Sequence, residues 1–209
     1  LTWLNSPEDN TLLNAVINEN VTVLIGTSGQ AGCFTREVVE AVAKNSDRPV
    51  ILPLSNPTAN CEALPKDVYK WTGNKALVGS GSPFDPVNVD GKAIRIGQMN
   101  NAFVFPGVGL GVVASGAKEV LPIFFSAAAH AVAEFIDDED IKDGILCPRL
   151  DDLQKVSIEV AKRVGAEAIK AGVCDNDCPF SSFNHDNDPE RLNTLIDKMI
   201  WSPEYFDQA

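Results

Sequence analysis

Three short apolar runs near the start of the chain have the pattern of buried strands. Each is rich in β-branched or aliphatic residues and is followed by turn-forming residues. Strands that are apolar along nearly their whole length are typical of a parallel sheet covered on both faces. The runs are VTVLIG at residues 21–26, RPVILPLS at 48–55 and KALVGS at 75–80.

Helical patterns lie between these runs. Residues 34–44 place Val38, Val39 and Val42 on one side of a helix, and residues 64–72 form a shorter pattern with Pro65 near its start. This alternation of strand and helix predicts an α/β fold with a parallel sheet flanked by helices.

The pattern changes after residue 86. Residues 87–96 alternate apolar and polar positions around Asp90 and Gly91, which predicts a β-hairpin. The acidic run from Asp137 to Asp140 is expected to be a solvated loop, since carboxylates without a fixed frame repel one another. The C-terminal part is predicted to be helical, over residues 121–136, 150–172 and 188–200.

The composition narrows the class of protein. With 209 residues, 44% of them apolar, the chain has the size of one compact domain with a sizeable core. Its formal charge of -12 disfavours binding to nucleic acid or to an anionic membrane surface. The uncharged apolar stretch at 102–117 is shorter than a bilayer requires and contains Pro106, so we interpret it as buried protein. No pattern of an export signal opens the chain.

The five cysteines are odd in number and scattered, which favours reduced thiols in the cytoplasm. Cys174, Cys178 and His185 form a C-x3-C-x6-H cluster, but no fourth ligand for a structural zinc lies at a recognisable spacing. Ordinary thiols in a polar loop are therefore the favoured interpretation. His130 lies in an apolar helical segment, where a core histidine is expected rather than a catalyst.

The loops after the three predicted strands share glycine, hydroxyl and amide groups and carry almost no charge. Because parallel strands point the same way, these loops gather at one edge of the sheet. Gly26, Gly29 and Gly32 in the first loop could let backbone N–H groups approach a phosphate or ribose, beside the start of a helix near Thr35. Their spacing differs from the G-x-G-x-x-G of dinucleotide-binding loops, and glycines that serve only tight turns explain it equally well.

Asn56 stands at the end of the second predicted strand. Pro57 disfavours the helical conformation at Asn56 and holds it extended, with its amide free to point outward. An Asx turn that merely ends the strand is an equally good interpretation.

Asn100 and Asn101 form a second amide site, directly before the apolar segment. One asparagine suffices to cap a helix, so the pair exceeds that need. We expect these amides to bind a polar ligand at the sheet edge. The glycines behind them, Gly107, Gly109 and Gly111, are expected to let the next helix pack tightly beneath that ligand. A role in helix packing alone, without a ligand, is an equally good interpretation.

No side chain in these loops is marked as a proton acceptor. Ser28, Ser55 and Ser82 have no identifiable histidine partner, which argues against a serine hydrolase. The loops therefore indicate the ligand-binding part of an enzyme, without the residues that carry out its chemistry.

Four segments of the chain resemble the malic enzyme and malolactic enzyme family in their order and spacing. The motifs SNPT, GSGSPF and GQ-x-NNAF-x-FPG together are highly specific, and CPRL and WSPEY are similar to the family's C-terminal end. The segments are VLIGTSGQAGCFTREVVEAV, RPVILPLSNPTANCEALPKDVYKWT, ALVGSGSPFDPV and IGQMNNAFVFPGVGLGVVASGA.

This resemblance implies a Rossmann-like fold, with residues 1–209 as the C-terminal portion of a nicotinamide-dinucleotide-binding domain, including the C-terminal helices. It implies that Asn56 and Asn101 bind L-malate. The residues it implies for binding NAD or NADP are Gly26, Thr27, Ser28, Gly29, Leu54, Ser55, Asn56 and Asn100.

The family's general-base lysine, its proton-donating tyrosine and its acidic ligands for Mg2+ or Mn2+ lie upstream of the residues present here. No catalytic or metal-binding residue is therefore expected in this chain, and turnover by the chain alone is not expected. The implied reaction of the full-length protein, a cytoplasmic homodimer or homotetramer, is oxidative decarboxylation of L-malate to pyruvate and CO2. Malolactic enzyme, which releases L-lactate and keeps its NAD bound, is one alternative. A nucleotide-binding or assembly module without activity is another.

Overall fold

The computed structural model describes residues 10–175 and 189–200. The strands are β1 (Val23–Gly26), β2 (Val50–Pro53), β3 (Leu77–Ser80), β4 (Val87–Val89), β5 (Lys92–Ile94) and β6 (Gly97–Gln98). The α-helices are α1 (Leu12–Asn18), α2 (Arg36–Asn45), α3 (Pro65–Trp71), α4 (Phe105–Ser115), α5 (Pro122–Glu134), α6 (Asp138–Lys142), α7 (Leu153–Lys170) and α8 (Pro189–Met199).

The residues group into two compact units. The first comprises Leu1–Asn100 and Ile136–Cys147, and the second comprises Asn101–Phe135 and Pro148–Ala209. The sheet, the hairpin and helices α1, α2, α3 and α6 belong to the first unit. Helices α4, α5, α7 and α8 belong to the second.

The first unit is built on a four-stranded parallel sheet in the order β1-β2-β3-β6. The predicted α/β fold with a parallel sheet is confirmed, and the three predicted strands correspond to β1, β2 and β3. The pattern missed β6, because two residues are too few to show a period. Its register, with Gly97 opposite Gly79 and Gln98 opposite Ser80, depends on β3.

The core of the first unit consists of side chains from the sheet and from the helices beside it. Ile51 on β2, Val78 on β3 and Val39 on α2 are almost fully buried. On β1 only alternate residues are covered by the described chain, since Val23 and Ile25 are 50% and 57% exposed. The predicted cover on both faces is confirmed at β2, where consecutive residues are buried, while the described residues cover one face of β1.

The hairpin prediction at 87–96 is confirmed. Strands β4 and β5 pair in antiparallel fashion, with Val87 opposite Ile94. Asp90 and Gly91 connect them with φ values of 51° and 86°. Two successive residues in the left-handed region match the twist of a two-residue hairpin turn, which is why an Asp-Gly pair suits this position.

The prediction of a loop at 137–140 is wrong, whereas its solvation is confirmed for Asp137, Asp138 and Glu139, which are exposed. Asp138–Lys142 form helix α6, and Asp137 caps it by accepting a hydrogen bond of 2.7 Å from the backbone N–H of Asp140. The Asp140 side chain is buried and lies 2.7 Å from Nη2 of Arg95. The carboxylates are thus held by a helix end and a cation, which the local sequence does not show.

The second unit is a set of four packed helices. Helix α7 contacts α4, α5 and α8, and the predicted helices at 121–136, 150–172 and 188–200 correspond to α5, α7 and α8. A Cβ added at Gly107 or Gly111 of α4 would lie 2.5 Å from Val160 or 2.9 Å from Val164 of α7. These two glycines therefore serve helix packing. Gly109 has no such neighbour within 4 Å.

His130 is not a core residue, contrary to the prediction. The buried side of α5 carries Phe124, Ala128 and Ala131, which follow one another at helical spacing. His130 falls outside that stripe and is exposed. Among the described helices, none is both long and apolar enough to cross a membrane.

Candidate functional site

Two of the loops predicted to bind a cofactor follow adjacent strands at the carboxyl edge of the sheet. Gly26 ends β1 and pairs with Pro53, which ends β2. The N–H of Leu54 donates to the carbonyl of Gly26 at 2.8 Å, so the ladder extends into the second loop. The structure thereby brings Gly26, Thr27, Ser28 and Gly29 beside Leu54, Ser55 and Asn56.

The fourth strand adds a further loop to this edge. The N–H of Met99 donates to the carbonyl of Ser80 at 2.8 Å, and Asn100 follows directly. Asn100 is half-buried and belongs to the first unit. Because β6 is parallel to β3, Asn100 follows a carboxyl end of the same sheet.

Glu62 joins the loop after β1 to the loop after β2. Its Oε1 accepts hydrogen bonds from the backbone N–H of Ser28 at 2.9 Å and from the Ser28 hydroxyl at 3.0 Å. Oε2 accepts from the backbone N–H of Ser55 at 3.2 Å, and the Ser55 hydroxyl makes a short hydrogen bond to Oε1. Sequence reasoning missed this residue. The available signal was weak: a single carboxylate in the otherwise uncharged stretch NCEALP.

The Glu62 carboxylate is a buried anion. The residue has 0% relative exposure, and no salt bridge reaches it within the described part of the chain. Burial by itself raises the pKa of the Glu62 carboxyl, but hydrogen bonds from the Ser55 hydroxyl and from backbone N–H groups outweigh it and leave the pKa below its ordinary value. Glu62 is therefore ionised at neutral pH.

Gly26 is required by the close approach of Glu62. A Cβ at Gly26 would lie 2.6 Å from Cδ of Glu62 and 2.8 Å from Cζ of Phe34. Distances under 3.0 Å are not sustained between carbon atoms that are not bonded, so another side chain here would displace the carboxylate. Gly26 thus makes room for an internal group.

Several backbone N–H groups of the first loop donate to acceptors within the protein. Gly29 donates to Oγ of Ser55 at 2.9 Å, Gln30 donates to Oγ of Ser28 at 3.1 Å, and Gly32 donates to the carbonyl of Cys61 at 3.1 Å. Gly29 and Gly32 have φ values of 68° and 70°, which glycine adopts without strain. Gly29 and Gly32 thus occupy tight turns, and the role of this loop in binding a nucleotide stays a prediction.

The amino end of α2 is also capped by residues next to it in the chain. Thr35 is the N-cap and accepts a hydrogen bond of 3.5 Å from the N–H of Val38. The pKa of Glu37 is lowered chiefly by its own backbone N–H and by the Thr35 hydroxyl. The positive end of this helix is thus already satisfied by an acidic side chain and a cap.

Asn56 is exposed, and the oxygen of its amide is fixed. The Ser82 hydroxyl donates to Oδ1 of Asn56 at 2.5 Å, and Ser82 itself is only 3% exposed. The Asn56-Pro57 peptide bond is cis. The partner of the Asn56 side chain is thus a residue after β3, not its own turn, which favours a role other than a simple Asx turn.

Neither Asn100 nor Asn101 caps helix α4. The helix begins at Phe105 with Val104 at the N-cap and no side-chain cap. Asn101 is exposed and opens a short 3-10 turn, Asn101–Phe103, in the second unit. The capping interpretation for α4 is therefore excluded, and the ligand role of Asn101 stays a prediction.

The thiols and acids of the described residues form no metal site. Cys33, Cys61, Cys147 and Cys174 are free, and no group of three His, Cys, Asp or Glu residues with metal-binding geometry occurs among residues 10–175 and 189–200. Cys174 lies in a β-bridge opposite Ala117. The other two members of the C-x3-C-x6-H cluster, Cys178 and His185, lie outside the described residues.

A parallel α/β sheet with polar, glycine-containing loops at its carboxyl edge defines a class of domain that binds ligands at that edge. The family model for the malic enzyme NAD binding domain matches residues 2–169. The chain belongs to this family.

Relatives that carry a malic enzyme name agree with this assignment. The chain is 44% identical over 203 residues to proteins named NAD-dependent malic enzyme from Acinetobacter baylyi and Shewanella oneidensis. The match covers 97% of this chain and 34% of each relative. The chain therefore spans about a third of the length of these relatives.

Solved structures agree in fold. The malic enzyme of Pyrococcus horikoshii superposes with a TM-score of 0.63 at 24% identity, over 89% of this chain and 37% of that protein. The malic enzyme of Entamoeba histolytica gives the same TM-score of 0.63 at 21% identity, over 93% of this chain and 41% of that protein.

Proposed function

We propose that the protein works as part of an NAD-dependent malic enzyme that converts L-malate to pyruvate and CO2. The relatives that are 44% identical carry this name, and they are about three times as long as this chain. The observation that carries the proposal is the junction of two uncharged loops, Gly26–Gly29 and Leu54–Asn56, at the carboxyl edge of the parallel sheet, held by Glu62.

The exposed groups of these loops fit a nucleotide with hydroxyl and amide functions. Thr27, Ser28 and Gly29 are exposed, and Leu54 is partly exposed beside the buried Ser55. NAD bound there supplies the acceptor for the hydride that leaves malate. The residues of this chain hold and orient the cofactor and take no proton themselves.

Asparagine amides suit the orientation of malate. Ser82 occupies Oδ1 of Asn56, so the donor of the amide is what Asn56 offers to a carboxylate or hydroxyl. Asn101 is assigned the same task, and Asn100 is assigned to the cofactor. Neutral amides bind a carboxylate without competing for protons near neutral pH.

The remaining parts of the active site come from outside this chain in the proposal. The general base, the proton donor and the ligands of Mg2+ or Mn2+ belong to further segments of a longer subunit, which acts as a homodimer or homotetramer in the cytoplasm. The four free thiols of the described residues support a reducing compartment. A divalent metal would polarise the ketone so that CO2 leaves.

The test is a product assay on the complete natural protein that carries this chain. With L-malate, NAD and Mn2+, we expect equal amounts of pyruvate and NADH. Lactate without release of NADH would assign the protein to malolactic activity instead. Neither product, from a folded and metal-loaded protein, would overturn the proposal.

The alternative of a binding or assembly module applies to the 209-residue chain by itself. Calorimetric titration of that chain with NAD measures whether the two loops bind the cofactor in the absence of other segments. Heat of binding without turnover supports a binding module. Absence of heat at high NAD concentration argues against cofactor binding by this piece alone.

A further inference from the structure

We propose that Glu62 is a positioning residue for the cofactor, and that it makes the loop after β1 specific for an uncharged or cationic part of the nucleotide rather than a phosphate. This inference rests on the proposed function, because it concerns the same two loops. It assigns them an internal anion that the sequence pattern did not reveal.

The Glu62 carboxylate acts as a clamp between the loop after β1 and the loop after β2. One carboxylate accepts hydrogen bonds from the backbone N–H and the hydroxyl of Ser28, and from the same two groups of Ser55. Ser28 and Ser55 are 27 positions apart along the chain and lie in different loops. Hydrogen bonds to a charged acceptor are stronger than neutral ones, so Glu62 fixes both loops in one arrangement.

The clamp occupies hydrogen-bond donors that a bound phosphate would need. The hydroxyl of Ser55 also accepts from the N–H of Gly29, and the hydroxyl of Ser28 accepts from the N–H of Gln30. The N–H groups of residues 28, 29 and 30 therefore all point, directly or through a serine, to Glu62. Glu62 occupies the centre of the donor cluster in the way a bound anion would.

The negative charge of the buried Glu62 carboxylate also disfavours a bound phosphate. A buried carboxylate without a cationic partner repels a second anion strongly, because the surroundings screen the charge poorly. No lysine or arginine lies among residues 49–65 or 21–35 to offset it. The loop therefore accepts ribose hydroxyls or a positively charged ring and excludes a phosphate.

The experiment compares Glu62→Ala with wild type in the complete natural protein, by steady-state kinetics and thermal unfolding. The matched control is Glu139→Ala, which removes the same charge from the same unit at a side chain that is 81% exposed. We expect Glu62→Ala to raise the KM for NAD about tenfold, because several donors lose their acceptor. The KM for malate should change less, since Ser82 holds Asn56 independently of Glu62.

Two additions to the assay separate positioning from general loss of structure. Acetate should lower the KM for NAD of Glu62→Ala toward the wild-type value, because a small carboxylate fills the vacated position and accepts the same hydrogen bonds. Inorganic phosphate should compete with NAD more strongly in Glu62→Ala than in wild type, because the donor cluster is then open to an anion. Neither effect is expected for Glu139→Ala.

An unchanged KM for NAD in Glu62→Ala overturns the proposal. So does a parallel rise of both KM values with no response to acetate, which would indicate a purely structural residue. Should Glu62→Ala fail to fold, hydrogen exchange on wild type decides instead, since the amides of Ser28 and Ser55 must be protected in the free protein. Fast exchange at both amides would contradict the clamp.

These outcomes are distinguishable from failure of the proposed function. If the wild-type protein does not oxidise malate with NAD, the proposed function is wrong, whatever the effect of Glu62→Ala. An active wild type with an unaffected Glu62→Ala variant sinks only the inference about Glu62.

Discussion

The hydroxyl of Ser82 donates a hydrogen bond of 2.5 Å to Oδ1 of Asn56. Ser82 follows β3 and is buried, whereas Asn56 follows β2 and is exposed. A buried hydroxyl on one loop thus sets the orientation of an exposed amide on the next. Ser82 therefore orients Asn56, which we propose binds malate, and Ser82 itself need not contact malate.

Replacement of Ser82 by alanine should weaken malate binding. Without the hydroxyl, the Asn56 amide is free to rotate, and we expect the KM for malate to rise about fivefold, the equivalent of one neutral hydrogen bond. The KM for NAD should change less. Steady-state kinetics on the complete protein measures both, with Ser126→Ala at an exposed position as the control. Equal KM values for malate in Ser82→Ala and wild type would refute this role.

Gly107 and Gly109 offer a matched pair on helix α4. A methyl group at Gly107 would lie 2.5 Å from Cβ of Val160 and 2.6 Å from the carbonyl oxygen of Ser157, whereas none of the surrounding atoms lies within 4 Å of one at Gly109. We expect Gly107→Ala to lower the free energy of unfolding by about 1–3 kcal/mol through overpacking. Gly109→Ala should leave it unchanged or raise it by up to about 1 kcal/mol, because alanine favours the helix.

Urea unfolding of both variants measures this difference. The double variant Gly107→Ala with Val160→Ala should keep most of the destabilisation of Gly107→Ala, because alanine retains the Cβ that lies 2.5 Å from the added methyl group and the Ser157 carbonyl oxygen stays at 2.6 Å. If Gly107→Ala and Gly109→Ala have the same stability, the close packing of α4 on α7 is disproved.

The ion pair between Arg95 and Asp140 should contribute more to the free energy of unfolding than the exposed ion pair between Lys142 and Glu139. Nη2 of Arg95 lies 2.7 Å from Oδ2 of Asp140 and 3.0 Å from the carbonyl oxygen of Cys147. Arg95→Met leaves a buried carboxylate without its cation, and we expect a loss of about 3 kcal/mol. Lys142→Met removes the partner of the exposed Glu139 and should cost less than about 1 kcal/mol. Equal losses in a urea titration would show that the burial of Asp140 is unimportant.

Cys147 should make the stability of the protein depend on pH in the alkaline range. Burial raises the pKa of its thiol to about 11, above the ordinary value of 9.0, and nearby Arg95 offsets this only in part. The folded state therefore keeps its proton at pH values where the unfolded state loses it. The contribution to stability is complete below about pH 9 and is lost as the pH rises toward about 11.

Unfolding measurements between these pH values test the sign. Cys147→Ser, whose hydroxyl does not titrate there, should flatten the fall in the free energy of unfolding. Part of the slope will persist in Cys147→Ser, because burial also raises the pKa of the Cys61 thiol. A slope unaffected by Cys147→Ser would contradict the prediction.

The local sequence determined most of the elements. The apolar runs at β1, β2 and β3, the helices α2, α3, α5, α7 and α8, and the Asp90-Gly91 hairpin each show their own period or turn residues. These features depend on backbone preferences and on which side chains avoid water, and both act within a few residues. For the same reason the family resemblance could be stated from four continuous segments.

Tertiary structure alone decided the features that depend on residues far apart in the chain. Strand β6 exists because β3 pairs with it, and His130 is exposed because the buried stripe of α5 passes beside it. Gly107 and Gly109 have the same residue type two positions apart, yet only Gly107 meets α7.

The candidate site shows the same division. Sequence motifs identified the loops and the asparagines, since glycine, hydroxyl and amide residues follow each strand. They could not show that Glu62, 34 positions after Ser28, lies beneath both loops and takes their hydrogen bonds. Composition and spacing report which groups are available, but which donor meets which acceptor is fixed only when the packed sheet brings its loops within about 3 Å of one another.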